Sequence, residues 1–166
     1  MSPLYLSPFR LAPEDIAEVV GIYTSNPEYG RASGEYDPAR VQAHQVEAEL
    51  RADTGTGGFD VLLAREVGGQ VVGLASILRQ HPKDGYPWIG LLMVHGDQHR
   101  QGHGRLLADL IEERLRAQDR SGVRLAVLEN NPTALAFWRS LGWQEIDRRP
   151  DVQYGRPCIV MHKQLN

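Results

Sequence analysis

The chain has 166 residues, 42% of them hydrophobic and 23% charged, which excludes a disordered segment and is enough for one domain with a sizeable core. A formal net charge of −3 excludes a general nucleic-acid binder, which carries a basic surplus. One cysteine, Cys158, excludes an internal disulfide. No basic segment followed by a long apolar run opens the chain, and no apolar run is long enough for a membrane span, so the expectation is a cytoplasmic protein with neither signal peptide nor membrane partner.

Leu4 to Leu11 alternates partly and reads as a strand. Pro13, Glu14 and Asp15 form a helix first turn, and Ile16, Val19, Val20 and Tyr23 give that helix one apolar face. It should stop near Asn26-Pro27, because the residue before proline avoids the helical region. Glu28 to Tyr36 is polar and reads as loop, and Asp37-Pro38 reads as the cap and first turn of a second helix. Phe59 to Arg65 and Val71 to Leu78, joined through Gly68-Gly69, form a hairpin. Gln80 to Pro87 is a polar loop.

The stretch from Trp88 to Leu115 organises the rest. An apolar strand (88–94) gives way to a turn carrying Gly96, Gly102 and Gly104. A helix over 103–119 follows at once, with Leu106, Leu107, Leu110, Ile111 and Leu115 at three- and four-residue spacing. On its outer side Arg105–Asp109 and Glu112–Arg116 stand four apart and read as a solvated face. Arg124 to Glu129 is a further strand. Asn131 and Pro132 start a helix filled by Ala134, Leu135, Phe137, Trp138 and Leu141, and Gly142 is placed to end it. Trp143 to Ile146 and Ile159 to His162 complete the chain as strands. The order β α α β β β α β α β β predicts an α+β fold: a mixed, mainly antiparallel sheet with about four helices, in a single domain over 1–166.

A strand, a glycine loop and a helix start present unpaired backbone N–H groups to an anion, where the helix dipole adds partial positive charge. The loop is therefore either a plain turn or a pyrophosphate cradle, and Arg100 and Arg105 add charge for the second reading. A dinucleotide fingerprint would need Gly or Ala where Leu107 stands, and a phosphate-binding P-loop would need Gly-Lys-Ser/Thr.

His99-x-x-Gly102-x-Gly104 at the start of a helix after the fourth strand resembles the loop pattern of the GNAT superfamily of N-acetyltransferases, with His in place of the family's first Arg or Gln. Asn131, Ala134, Phe137-Trp138 and Gly142-Trp143 resemble its second pattern, with two aromatics changed. The resemblance implies acetyl-CoA as cosubstrate, its pyrophosphate on the amides of Arg100, Gln101, Gly102, His103, Gly104 and Arg105. It implies a pantetheine arm bonded to main chain at Leu92, Met93 and Val94, an acetyl carbonyl at the Val94 amide, and a contact from Asn131, which is also a helix cap. Trp138 stands where many members have a tyrosine that protonates the departing thiolate. Indole cannot do that, so Trp138 is read as a wall of the thioester site, with the acid supplied elsewhere or not needed.

The acceptor implied is a primary amine, on a small molecule or a peptide. An alkyl amine of pKa near 10.4 is neutral in only about one molecule in 2,500 at pH 7, so a base or water relay is expected. Glu129 and His95 end the two neighbouring strands and are candidates, each with a structural alternative; Glu28, Tyr29, Glu35 and Asp84 lie in loops that can border an acceptor pocket. Cys158 precedes an apolar run and reads as buried and inert. The histidines show no metal-ligand spacing, so no metal is expected. Members of this fold class often pair through exposed strands, so the resemblance implies a homodimer. Rival readings are a CoA-binding sensor or pseudoenzyme on the same fold, and a dinucleotide-binding enzyme that uses the same loop.

Overall fold

The computed structural model describes residues 3–55, 57–99 and 101–166. Seven strands form one sheet in the order β1-β2-β3-β4-β5-β7-β6. They are β1 (Leu4–Pro8), β2 (Phe59–Glu66), β3 (Val71–Leu78), β4 (Trp88–Val94), β5 (Gly122–Leu128), β6 (Gln144–Pro150) and β7 (Pro157–Gln164). Every pairing is antiparallel except β4 with β5. Helices α1 (Pro13–Thr24), α2 (Pro27–Ser33), α3 (Ala43–Thr54), α4 (His103–Ala117) and α5 (Pro132–Ser140) pack on it.

Both faces of the sheet are covered at β2 and β3, which is why the middle of each reads as a continuous apolar run and not as an alternating one. On one face Leu62, Ala64 and Val72 meet Leu107, Ile111 and Leu115 of α4 and Trp138 of α5. On the other, Val61, Leu63 and Leu74 meet Ile16, Val19 and Ile22 of α1 and Val46 and Leu50 of α3. The helical spacing read in α4 is thus the stripe that closes the first core.

Several boundaries differ from the sequence reading. The segment 28–36, expected as loop, holds α2, which starts at Pro27 and ends on Gly34 in the left-handed conformation (φ 68°). A seven-residue helix with only Gly30 and Ser33 buried has no apolar stripe to announce it. The helix expected from Asp37 starts instead at Ala43. Asp37 closes a local turn, its carboxylate accepting from the Ala39 amide at 2.9 Å, and the same Asp-Pro chemistry serves a turn as well as a helix. β1 ends at Pro8, and α4 ends at Ala117. Glu112, read as solvated, is 3% exposed and pairs with Lys163 of β7 at 3.0 Å. The C-terminal strand covers that side of α4, a long-range contact that helix periodicity does not reveal. No helix among the described residues is long and apolar enough to cross a membrane.

Candidate active site

The parallel pair β4–β5 is in register only at Trp88↔Arg124 and Ile89↔Leu125. Beyond Ile89 the two strands part. The β3–β4 register also shifts there, so that Gly90 is bulged out of the ladder. A Cβ at Gly90 would stand 2.8 Å from the Phe59 ring, so glycine is required by the close approach. The parting opens a cleft of about 400 Å³ between Leu91 and Leu92 on one side and Ala126, Val127 and Leu128 on the other.

The ladder decides which amides of β4 face this cleft. His95 donates its N–H to the Val72 carbonyl of β3 at 2.8 Å. In an antiparallel pair alternate residues bond to the same neighbour, so Met93 and Leu91 also turn their amides to β3. Leu92 and Val94 turn theirs the other way, toward the open side. The Val94 carbonyl is held by Asn26 Nδ2 at 2.9 Å and by His99 Nε2 at 3.0 Å. A carbonyl only accepts, so Nε2 of His99 carries the proton.

The loop after β4 continues this row of donors. His95 accepts from the Asp97 amide at 3.2 Å and so starts a 3₁₀ turn, Gly96–Gln98, the loop role that was one of its two readings. Gly102 has φ 79° and caps α4. The first rung of α4 runs from the Leu106 amide to the Gly102 carbonyl at 3.1 Å, and no side chain caps the helix. The N–H groups of His103, Gly104 and Arg105 precede that rung and have no partner within the helix. A Cβ on Gly104 would lie 3.3 Å from the Phe137 ring and 3.9 Å from Val94, so the loop, β4 and α5 meet at this glycine. The His103 ring turns inward, 3% exposed, with Nε2 3.9 Å from Glu66. Gln101 and Arg105 are exposed, and Arg100 lies outside the described residues.

Asn131 caps α5, its Oδ1 accepting from the Ala134 amide at 3.2 Å, and it also lines the cleft. Trp138, 7% exposed, lines the cleft from the same helix and stands edge-on to Trp143 at 5.1 Å. Cys158 is buried against the cleft, and burial raises its thiol pKa.

Glu129, expected as a candidate base, is not among the residues that line the cleft. It sits on the surface, 41% exposed, 3.4 Å from Arg148. The strand end that carries it bonds to Pro157 of the neighbouring β7 and leaves the side chain to solvent. Of the loop residues weighed for the acceptor side, Tyr29 and Glu35 line the cleft. Glu28 pairs on the surface with Arg31, and Asp84 accepts from the Trp88 indole at 3.0 Å, behind the wall.

The lining also includes Asp151, Gln153 and Arg156, from the irregular loop between the last two strands, none of which the sequence reading singled out. Arg156 donates from Nε to Asp151 at 2.7 Å, from Nη1 to the Ser33 carbonyl at 2.8 Å, and contacts Glu35 from Nη2 at 3.1 Å. It ties the β6–β7 loop to the end of α2. Burial works against the charge of Asp151, but hydrogen bonds from Arg156 and from two loop amides outweigh it and hold the carboxyl below its ordinary range. Burial, followed by the neighbouring Glu35, raises the Tyr29 phenol well above its usual value. Nothing in a sequence spacing marks these residues, because they converge from segments more than 100 positions apart. Among the described residues no three His, Cys, Asp or Glu side chains gather as a metal site.

A family model described as "Acetyltransferase (GNAT) family" matches residues 16–143. The chain is 26% identical over 156 residues to an L-methionine sulfoximine/L-methionine sulfone acetyltransferase of Pseudomonas aeruginosa, covering 92% of this chain and 89% of that protein. Among solved structures it resembles an acetyltransferase from Thermus thermophilus, with a TM-score of 0.76, 21% identity and 99% of each chain covered. It also resembles a spermidine N-acetyltransferase from Vibrio cholerae solved with CoA and spermine, with a TM-score of 0.75, 11% identity, and 98% of this chain and 95% of that one covered. The matched span runs from α1 to the end of α5 and takes in the opened strand pair, the glycine loop and the Asn131 helix, so the chain belongs to the acetyltransferase (GNAT) family of acyl-CoA-dependent N-acetyltransferases.

Proposed function

We propose that the protein transfers an acetyl group from acetyl-CoA to a primary amine by direct attack within a ternary complex. The observation that carries this reading is the row of main-chain donors that runs from Leu92 and Val94 on β4 to His103, Gly104 and Arg105 at the start of α4. The β4 amides suit an amide-bearing arm and the helix start suits a pyrophosphate. Gly104 fits the cradle because a side chain there would strike Phe137. Acetyl-CoA would supply the acyl group as an activated thioester.

In this reading Leu92, which lines the cleft, presents its amide to the acyl oxygen as charge develops on it, and Val94, two residues nearer the helix start, presents its amide to the arm. Asn131 borders the arm, and Trp138 walls the thioester without giving a proton. The amine first loses one proton to water in the cleft; the neutral nitrogen then forms its bond to the acyl carbon as the C–S bond breaks, CoA leaves as the thiolate, and the second amine proton passes through water to that sulfur. The carboxylates that border that water are Glu35 and Asp151, and Glu129 has no access to it.

Thermal-shift titrations with acetyl-CoA, CoA, NAD and ATP test this on the wild type and on Gly104→Glu. A ligand at 100 times its dissociation constant stabilises the fold by about 2.7 kcal/mol. Acetyl-CoA should raise the melting temperature of the wild type but not of a folded Gly104→Glu, and an amine panel should then release free thiol. A shift with NAD or ATP alone would overturn the reading.

A further inference from the structure

We propose that the acceptor is a cationic amine with an apolar body and no carboxylate beside its amino group. This rests on the acetyl-transfer reading above. Among the described residues Arg156 is the one cationic side chain that lines the cleft, and its guanidinium is engaged on three sides. Asp151 takes Nε at 2.7 Å, the Ser33 carbonyl takes Nη1 at 2.8 Å, and Glu35 stands 3.1 Å from Nη2. An α-amino acid needs a free cation for its carboxylate, ideally a bidentate arginine. Here that carboxylate would enter beside two others that already share the only guanidinium, and like charges brought together in a partly buried site repel strongly.

An ammonium meets the opposite conditions. Two carboxylates against one guanidinium leave the lining with one net negative charge. Tyr29 lines the same space, and an aromatic ring attracts cations. Arg156 cannot swing out to meet an anionic ligand without giving up the Ser33 carbonyl and so releasing the end of α2. The Pseudomonas relative is named for acceptors that are α-amino acids, so this chain would differ from it in acceptor class while sharing the donor.

The test compares matched acceptors by thiol release: phenylalanine, its amide and 2-phenylethylamine, then methionine, its amide and 3-(methylthio)propylamine. In each set kcat/KM for the amine and the amide should exceed that for the free amino acid by about tenfold or more. Equal or better turnover of the free amino acids overturns the proposal. Glu35→Gln with Asp151→Asn leaves Arg156 unpaired by charge and should shift the ratio toward the amino acids by about tenfold. If the double variant melts early, Glu35→Gln alone should move the ratio in the same direction by a smaller step, and a ratio that stays put in a folded variant overturns the charge argument. Thiol release with no member of either set, in a protein that acetyl-CoA still stabilises, overturns the acceptor class. Failure of acetyl-CoA to stabilise the protein overturns the transfer reading itself.

Discussion

Asn26 donates its side-chain amide to the Val94 carbonyl at 2.9 Å, across 68 residues of sequence, and the same nitrogen reaches the Ile22 carbonyl at 2.8 Å. The end of α1 thus holds the end of β4, and Ser25 adds a second tie through the Gly96 amide at 2.8 Å. Asn26 is 6% exposed, so water does not replace the bond when it is cut. Asn26→Ala should lower the unfolding free energy by about 1–3 kcal/mol. It should also raise KM for acetyl-CoA more than KM for the amine, because the strand end it holds carries the donor-side amides. Urea denaturation and initial rates check both, and an unchanged KM would show that β4 keeps its place without the tie.

Gly104 and Phe137 form a second contact of this kind. A Cβ at 3.3 Å from the ring is tighter than ordinary packing, so Gly104→Ala displaces the ring by a few tenths of an ångström, which offsets the roughly 1 kcal/mol that alanine gains over glycine in a helix. Acetyl-CoA should bind more weakly to this variant. Phe137→Leu in the same chain should recover part of the lost affinity, a non-additivity that calorimetric titration of the four proteins would measure.

Trp138 packs between Phe137 and Trp143, with ring centroids 4.9 and 5.1 Å away. Truncation to Ala should cost about 3–5 kcal/mol. Trp138→Phe keeps a wall and should leave the pH dependence of kcat where it was, since indole has no proton to give at these pH values. A pH profile that moves in the Phe variant would assign an acid-base role to this position.

Glu129→Gln should change stability by about 0.5 kcal/mol or less, as an exposed pair with Arg148 predicts. kcat should be unaltered across neutral pH. A large fall in kcat, read by the same thiol-release assay, would return Glu129 to the role of base.

Glu49 of α3 carries a raised pKa, chiefly from burial and then from Glu35 and Asp53. A raised carboxyl binds its proton more tightly in the folded chain than in the unfolded one, so ionisation costs stability. That cost is absent below the ordinary value of 4.5 and complete above the raised one. Glu49→Gln should therefore melt higher than the parent at pH 7, and the difference should shrink as pH falls through the raised value and vanish below 4.5. The side chain keeps much of its solvent contact, which limits the gain to about 0.5 kcal/mol. Melting curves at the two pH values decide it.

The features legible before any fold was known are local ones. The period of α4, the cap at Asn131 with Pro132 behind it, and the glycines at 102 and 104 each act over a few residues, so each was readable and each stands where it was read. The two motifs also carried the family. α2 escaped because a short polar helix has no apolar period, and the start of α3 moved because Asp-Pro serves turns and helices alike.

The cleft is a different matter. β4 and β5 open because their register stops after Ile89, and register belongs to a pair of strands. Asn26 looked like a helix boundary and proved to be a clamp on β4. Glu129 looked like a strand-end base and faces solvent, while Arg156, Asp151 and Glu35 meet from loops far apart in the chain. Charges on loops follow no period, and a buried carbonyl takes whichever donor the fold brings near. Which charges face one another is therefore settled when the strands and loops have packed, and not before.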